Sequence, residues 1–150
     1  MTTKELLDKQ MRAAFDGDDE MSLQAAIWKL APEEAAWKPN DETGTIEDIL
    51  HHVARCKVMY ATKAFGDCPV EEDVPAGELD RTVDWLQRAH EHLLNCLAAA
   101  TGEALDAPVP TPFHGESAAH LFWVLLMHDI CHGGQIQLIR RQYRQAHAAS

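Results

Sequence analysis

The sequence predicts an all-α fold: a four-helix bundle with short extra helices between the first and second long helices. Three observations carry this. Four long stretches repeat apolar residues at helical spacing. Most of them open on a Ser or Thr able to cap a helix, and Gly residues stand where they should end. No stretch alternates apolar and polar residues as a half-buried strand would. Four amphipathic helices of this length bury their faces most simply as a bundle. A chain of 150 residues, 46% hydrophobic and 25% charged, suits a single globular domain, and residues 1–150 are read as one.

Taken in order, Thr3 is expected to cap a first helix reaching about Phe15, with Leu6, Leu7, Met11 and Phe15 on one side. Gly17-Asp18-Asp19 ends it. Ser22 begins a short piece, Leu23 to Leu30, and Pro32 another, Pro32 to Trp37, with Glu33 and Glu34 near its positive end. Pro39 to Gly44 is a loop. Thr45-Ile46-Glu47-Asp48 reads as a capping box with Asp in the Glu position. The helix it opens carries Ile46, Ile49, Leu50, Val53 and Tyr60, and Gly66 ends it. Residues 66–77 read as a surface connection. A third long helix spans about Glu78 to Ala100, with Gly102 as its stop. Pro108, Pro110 and Pro112 exclude helix from 102–116. Ser117 caps the last long helix, to about Gln145. These connections exceed what an up-and-down bundle needs, so a crossover is expected.

Acidic residues outnumber basic ones, 24 to 13, for a net charge of −11. That balance opposes general binding to nucleic acid or to an anionic membrane surface. The longest apolar run, Leu121 to Met127, is too short to span a bilayer, and no apolar signal-peptide core follows the polar start. Cys56, Cys68, Cys96 and Cys131 are scattered, with no C-x-x-C pair, and read as reduced thiols of a cytoplasmic protein.

Nine histidines are many for this length. His128 and His132 are four apart and share one helix face. With Leu121 at zero on a wheel of about 100° per residue, they fall near −20° and +20°, with Val124, Leu125, Gln135 and Ile139 within roughly 60°. The pattern places them in the middle of the inward stripe. Two adjacent core imidazoles each need a partner and repel if both are charged. One divalent cation satisfies both, since neutral imidazole ligates Zn, Ni, Cu or Fe. Hydrogen bonds to other helices are the alternative. A third imidazole is available at His51-His52. With Ile46 at zero, His52 falls near −120°, beside Cys56 near −80° and Tyr60 near −40°, whereas His51 falls near +140° and is expected to face solvent. His52 is therefore the better candidate. Three ligands on two helices leave a coordination position open, as in catalytic sites.

Three segments carry a family resemblance. They are Trp37-Lys38-Pro39, Thr45-Ile46-Glu47-Asp48-Ile49-Leu50-His51-His52-Val53-Ala54, and His128-Asp129-Ile130-Cys131-His132-Gly133-Gly134-Gln135. They resemble the DinB/YfiT superfamily, with its Trp-x-Pro, its Ser/Thr-Ile-x-Glu-Leu-x-x-His and its His-x-x-x-His-x-Gly-Gln. The resemblance implies a four-helix bundle, usually a homodimer, with a divalent metal held by histidines that align with His52, His128 and His132. Asp48 replaces the usual Glu, and Gly133 a basic or bulky residue; neither change removes a ligand. Members of the family include transferases and isomerases that use low-molecular-weight thiols such as bacillithiol or mycothiol, and others are classed as metal-dependent hydrolases.

The expectation is a metal-dependent enzyme, a low-molecular-weight-thiol-dependent S-transferase acting on small electrophiles. The alternatives are a metal-dependent hydrolase and a non-catalytic metal or small-ligand binding protein on the same scaffold. Zn or Ni is the expected metal, with Fe or Mn next. The expected partners are a small-molecule substrate and a second copy of the chain. Trp123, Leu126 and Ile130 lie opposite the histidine stripe and support such a dimer.

The remaining residues receive plainer readings. Gln135, one turn after His132, is a candidate to hydrogen-bond an imidazole N–H. Cys131 reads as a small buried hydrophobe, and Trp37 and Trp85 as packing residues. His90, His92 and His114 read as surface residues and His120 as a marginal pocket residue. Arg140, Arg141 and Arg144 suit a helix C-terminus. Gly133-Gly134 implies close approach of another helix or a bend. Asp129 completes imitations of a zincin H-E-x-x-H and of a di-iron Glu-x-x-His, but it points beside the histidine pair, off the inner face. The acidic runs at 18–20 and 71–73 read as solvated loops.

Overall fold

Side-chain caps decide where most helices begin. In the computed structural model, which describes residues 1–18, 20–110 and 116–148, α1 spans Thr3–Asp16. His114, Asp19 and Pro112 lie outside the described residues. The α1 cap is Thr2, one residue before the expected Thr3. Its hydroxyl accepts from the Glu5 N–H at 3.2 Å while the Glu5 carboxylate accepts from the Thr2 N–H at 2.7 Å. Ser22 caps α2 (Leu23–Ala26), which is shorter than expected because the chain turns through Lys29 at φ 53°. Pro32 opens α3 (Pro32–Ala35). The Thr45–Asp48 box starts α4 (Ile46–Phe65), and Gly66, at φ 90°, ends it in a conformation that favours glycine. α5 covers Leu79–Ala99.

A short α6 (Gly102–Asp106) was not expected. Thr101 caps it and Leu105 buries against the core, while the prolines begin only at Pro108. Gly102 therefore opens a helix instead of stopping one. α7 (Ala118–His147) starts at Ser117, as read.

Four long helices close a ring of contacts: α4 with α5, α5 with α1, α1 with α7 and α7 with α4. Lys4 at the start of α1 donates to the carbonyls of Ala98 and Ala100 at the end of α5, so these two run antiparallel. Phe65 stacks on Phe122 at 5.4 Å while His52 meets His132 further along, so α4 and α7 are antiparallel too. α4 and α5 run parallel: Glu47 accepts from Thr82, and Lys57 lies beside His90. The expected crossover is therefore the α4–α5 connection, which must return about 30 Å along the bundle.

That connection is anchored instead of lying loosely on the surface. Val70 and Val74 are buried. Trp85 Nε1 donates to the Glu71 carbonyl at 2.9 Å. His51 Nε2 sits 2.8 Å from the Val74 carbonyl and 3.1 Å from an Asp73 carboxylate oxygen, with its ring against Trp85. His51 does not face solvent as expected; it holds the crossover.

Lys57, Asp129 and His90 form a polar group in the interior. Lys57 is fully buried, and its Nζ donates to Asp129 Oδ2 at 2.7 Å. The same Nζ lies 3.4 Å from His90 Nδ1 and 5.3 Å from the Phe15 ring centroid. His90 stacks flat on Phe15 at 3.8 Å. His90 is thus a core residue, contrary to the surface reading. Asp129, read as off the inner face, is also buried. Leu125, Asp129, Gly133 and Ile136 are all buried on α7, and on the wheel they centre near 70–80°. The inward direction of α7 is set by Asp129, and the histidine pair lies on its flank.

Two more α7 readings change. Arg140 serves no helix terminus. Its guanidinium donates to both Glu34 carboxylate oxygens, at 2.8 and 3.2 Å, and to the Ala26 and Trp28 carbonyls, at 2.9 Å each. It ties α7 to the short helices. A methyl at Gly133 would meet Met21 O at 3.6 Å and Leu23 Cα at 3.7 Å, so α2 does approach there; at Gly134 it would meet nothing.

Removing one charge of a buried pair leaves the other unpaired, at a cost of about 3–5 kcal/mol, whereas replacing both by apolar groups is often near neutral. Lys57→Met should lower unfolding stability by about that amount, and Lys57→Met with Asp129→Leu should recover most of it in urea titrations. Burial, with the Lys57 cation adding to it, pushes the His90 imidazole down to about 2. The unfolded chain takes up that proton below about 6.5 and the folded chain does not, so stability drains as pH falls through this window, by at most about 1.4 kcal/mol per pH unit. Burial pushes the Asp129 carboxyl upward, against Lys57, which acts in the opposite sense. His90→Gln keeps an acceptor for Lys57 and removes the titration. Its urea midpoint should fall less than wild type between about pH 7 and pH 5.

Candidate metal centre

His52 lies in the second turn of α4, and His128 and His132 lie one turn apart on α7. Because the two helices run antiparallel in contact, these faces meet. His52 Nε2 is 3.2 Å from His128 Nε2, and His128 Nε2 is 3.0 Å from His132 Nε2. The ring centroids of His52 and His132 are 5.1 Å apart. All three predicted imidazoles are therefore brought together. They sit on a rim and not in the middle of the core: His52 is exposed, and His128 and His132 are half-buried.

Gln135 does what its spacing suggests. His132 Nδ1 donates to Gln135 Oε1 at 2.7 Å, which leaves the Nε2 lone pair facing His128. Burial, with the neighbouring His132, His52 and Lys57 adding to it, takes His128 down to about 4. Burial and His132 lower His52 as well. Both shifts favour neutral imidazole, the form that ligates metals.

Cys56, one turn after His52, joins the group. Its sulfur lies 3.9 Å from His52 Nδ1 and 3.8 Å from His52 Nε2. One ligand atom each from His52, Cys56 and His128 lie within 4.8 Å of one another, a set that could hold a metal ion. His132 enters through its contact with His128. Burial pushes the Cys56 thiol up, partly offset by Arg55 and Lys57. Cys131, expected to be buried, is exposed. On the wheel it stands about 150–160° from the inward direction that Asp129 defines.

The DinB superfamily profile matches residues 11–136, a span containing all three histidines and Cys56. The chain belongs to the DinB superfamily. Neither the curated proteins nor the solved structures searched gave a match.

Whether a metal suits this DinB-superfamily chain can be tested on its donors. A neutral imidazole carries one N–H. His132 commits its own to Gln135, and His128 Nε2 can direct a proton at only one of its two close neighbours. Hydrogen bonds among the three rings cannot serve all three nitrogens, and a shared cation can. With Zn–N bonds of about 2.0–2.1 Å, nitrogens stand about 3.3 Å apart on a tetrahedral centre and about 2.9 Å apart at neighbouring octahedral positions. The observed 3.2 and 3.0 Å fall in that range. The donor set fits a divalent metal.

Sequence reasoning missed Lys57 and the core role of His90. The signals existed. Lys57 falls near 20° on the α4 wheel, at the centre of the apolar face, and His90 stands four residues from both Leu86 and Leu94.

Proposed function

We propose that the protein is a metal-dependent enzyme in which His52, His128 and His132 hold a divalent ion, Zn or Ni, and which transfers a small thiol to a small electrophile. The observation that carries this reading is the convergence of the three ring nitrogens on an exposed rim, where a small molecule has access. A divalent metal held there would lower the pKa of a thiol or water that reached it, favouring a nucleophile near neutral pH. The chain's own residues prepare the place. Gln135 orients the His132 ring, and burial keeps His128 neutral. Asp129, fixed by Lys57, holds the adjoining His128 segment against α4. The choice of a thiol rests on the family resemblance set out above.

The same reading makes the protein a homodimer. Trp123, Met127 and Leu138 are 51%, 43% and 53% exposed, and at helical spacing they lie along one outer face of α7. A second copy would cover them.

Chelator-free purified protein is expected to carry close to one divalent ion per chain by elemental analysis, and His128→Ala close to none with unchanged helical circular dichroism. Across a panel of thiols and electrophiles, turnover should require both metal and thiol and fall to background in His128→Ala. Equal turnover without thiol would replace the transferase by a hydrolase, and metal without turnover would leave a binding protein. Wild type should sediment as a dimer, and Trp123→Glu as a monomer at the same concentration.

A further inference from the structure

The facing helices contribute matched pairs. On α4 the donors are His52 and Cys56; on α7 they are His128 and His132. Each pair is separated by one helical turn, so each presents its two side chains on one face. Four donor groups therefore meet across a single helix–helix contact. Among the described residues, Cys56 is the side chain grouped with His52 and His128 as a further possible ligand. Asp129 Oδ2 is bound by Lys57 while Asp129 Oδ1 is buried without a hydrogen-bond partner, Gln135 accepts from His132, and Cys131 is exposed outside the group. Cys56 is half-buried, and its sulfur lies beside the ring nitrogens of His52.

Spacing agrees with a sulfur ligand. With Zn–S of about 2.3 Å and Zn–N of about 2.0–2.1 Å, sulfur and nitrogen on one tetrahedral centre stand about 3.6 Å apart. Cys56 Sγ is 3.8 Å from His52 Nε2, and one ligand atom each of Cys56 and His128 lie within 4.8 Å.

We infer that Cys56 is a built-in fourth ligand, a thiolate that occupies the position the three imidazoles leave open in the resting protein. This rests on the metal-centre reading above and adds a regulation to it. The Cys56 thiol releases one proton to solvent as its sulfur binds the ion. An incoming small thiol must then displace Cys56 or add beside it, so access to the centre is controlled by a ligand exchange within the chain.

The test uses the full-length protein loaded with Co(II), which gives a near-ultraviolet thiolate-to-cobalt charge-transfer band only when sulfur is bound. The band is expected in wild type without added thiol, unchanged in Cys131→Ser and lost in Cys56→Ser. Stoichiometric cobalt without the band, or a band that survives in Cys56→Ser, would overturn the Cys56 assignment and leave the imidazole centre standing. Failure of wild type to bind cobalt would overturn both. A second measurement needs no variant. Iodoacetamide should label Cys56 severalfold more slowly in loaded than in metal-free wild type, read by peptide mass; equal labelling would overturn the inference.

Discussion

The buried pair of Lys57 and Asp129 sets the register of the two helices that build the site. Taking two charges out of water costs several kcal/mol each, recovered only when they meet in good geometry. At 2.7 Å they do. Lys57 follows Cys56 on α4, and Asp129 follows His128 on α7. A slip of either helix by one turn would strand both charges, and that penalty selects the one alignment in which His52 and Cys56 face His128 and His132. His90 and Phe15 complete the enclosure from α5 and α1, so all four long helices bear on the same buried ammonium.

The interior direction of α7 follows from this. With Asp129 pointing inward, the histidines one residue before and three after it fall on the flank facing α4. That placement explains how one helix can carry a buried carboxylate and an accessible imidazole pair side by side. It also gives the imidazoles a mixed environment. Burial keeps His128 neutral, and the pair stays open enough for a ligand to approach. Gln135, one turn further along, settles which nitrogen of His132 is free.

Much of this was legible in the sequence, and what was not has physical causes. The caps at Ser22, Thr45 and Ser117 act locally, so their residue types announce them. Thr2 and Thr3 both carry the right hydroxyl, and only the reach of Glu5 back to Thr2 separates them. Leu121, Leu125 and Ile139 flank the histidines, so hydrophobic pattern points the inner face of α7 at them. The true centre is a charged residue, which hydrophobic pattern alone cannot nominate. Cys131 and His51 depart from their wheel positions for the same reason, since each one's surroundings depend on a distant segment. Arg140 looked like a helix-end charge because its partners, Glu34 and two carbonyls, lie more than a hundred positions earlier in the chain.

The sequence by itself determined the helix count of the bundle, the family and the three histidines, because periodicity, caps and i, i+4 spacing are written within single helices. Tertiary structure alone decided that those histidines occupy a rim, that Cys56 comes close to His128 across the helix contact, and that Lys57, His90 and Asp129 lie at the centre. Each of these depends on which helix faces which, and at what register, a matter settled by the energetics of burying charge across elements far apart in the chain.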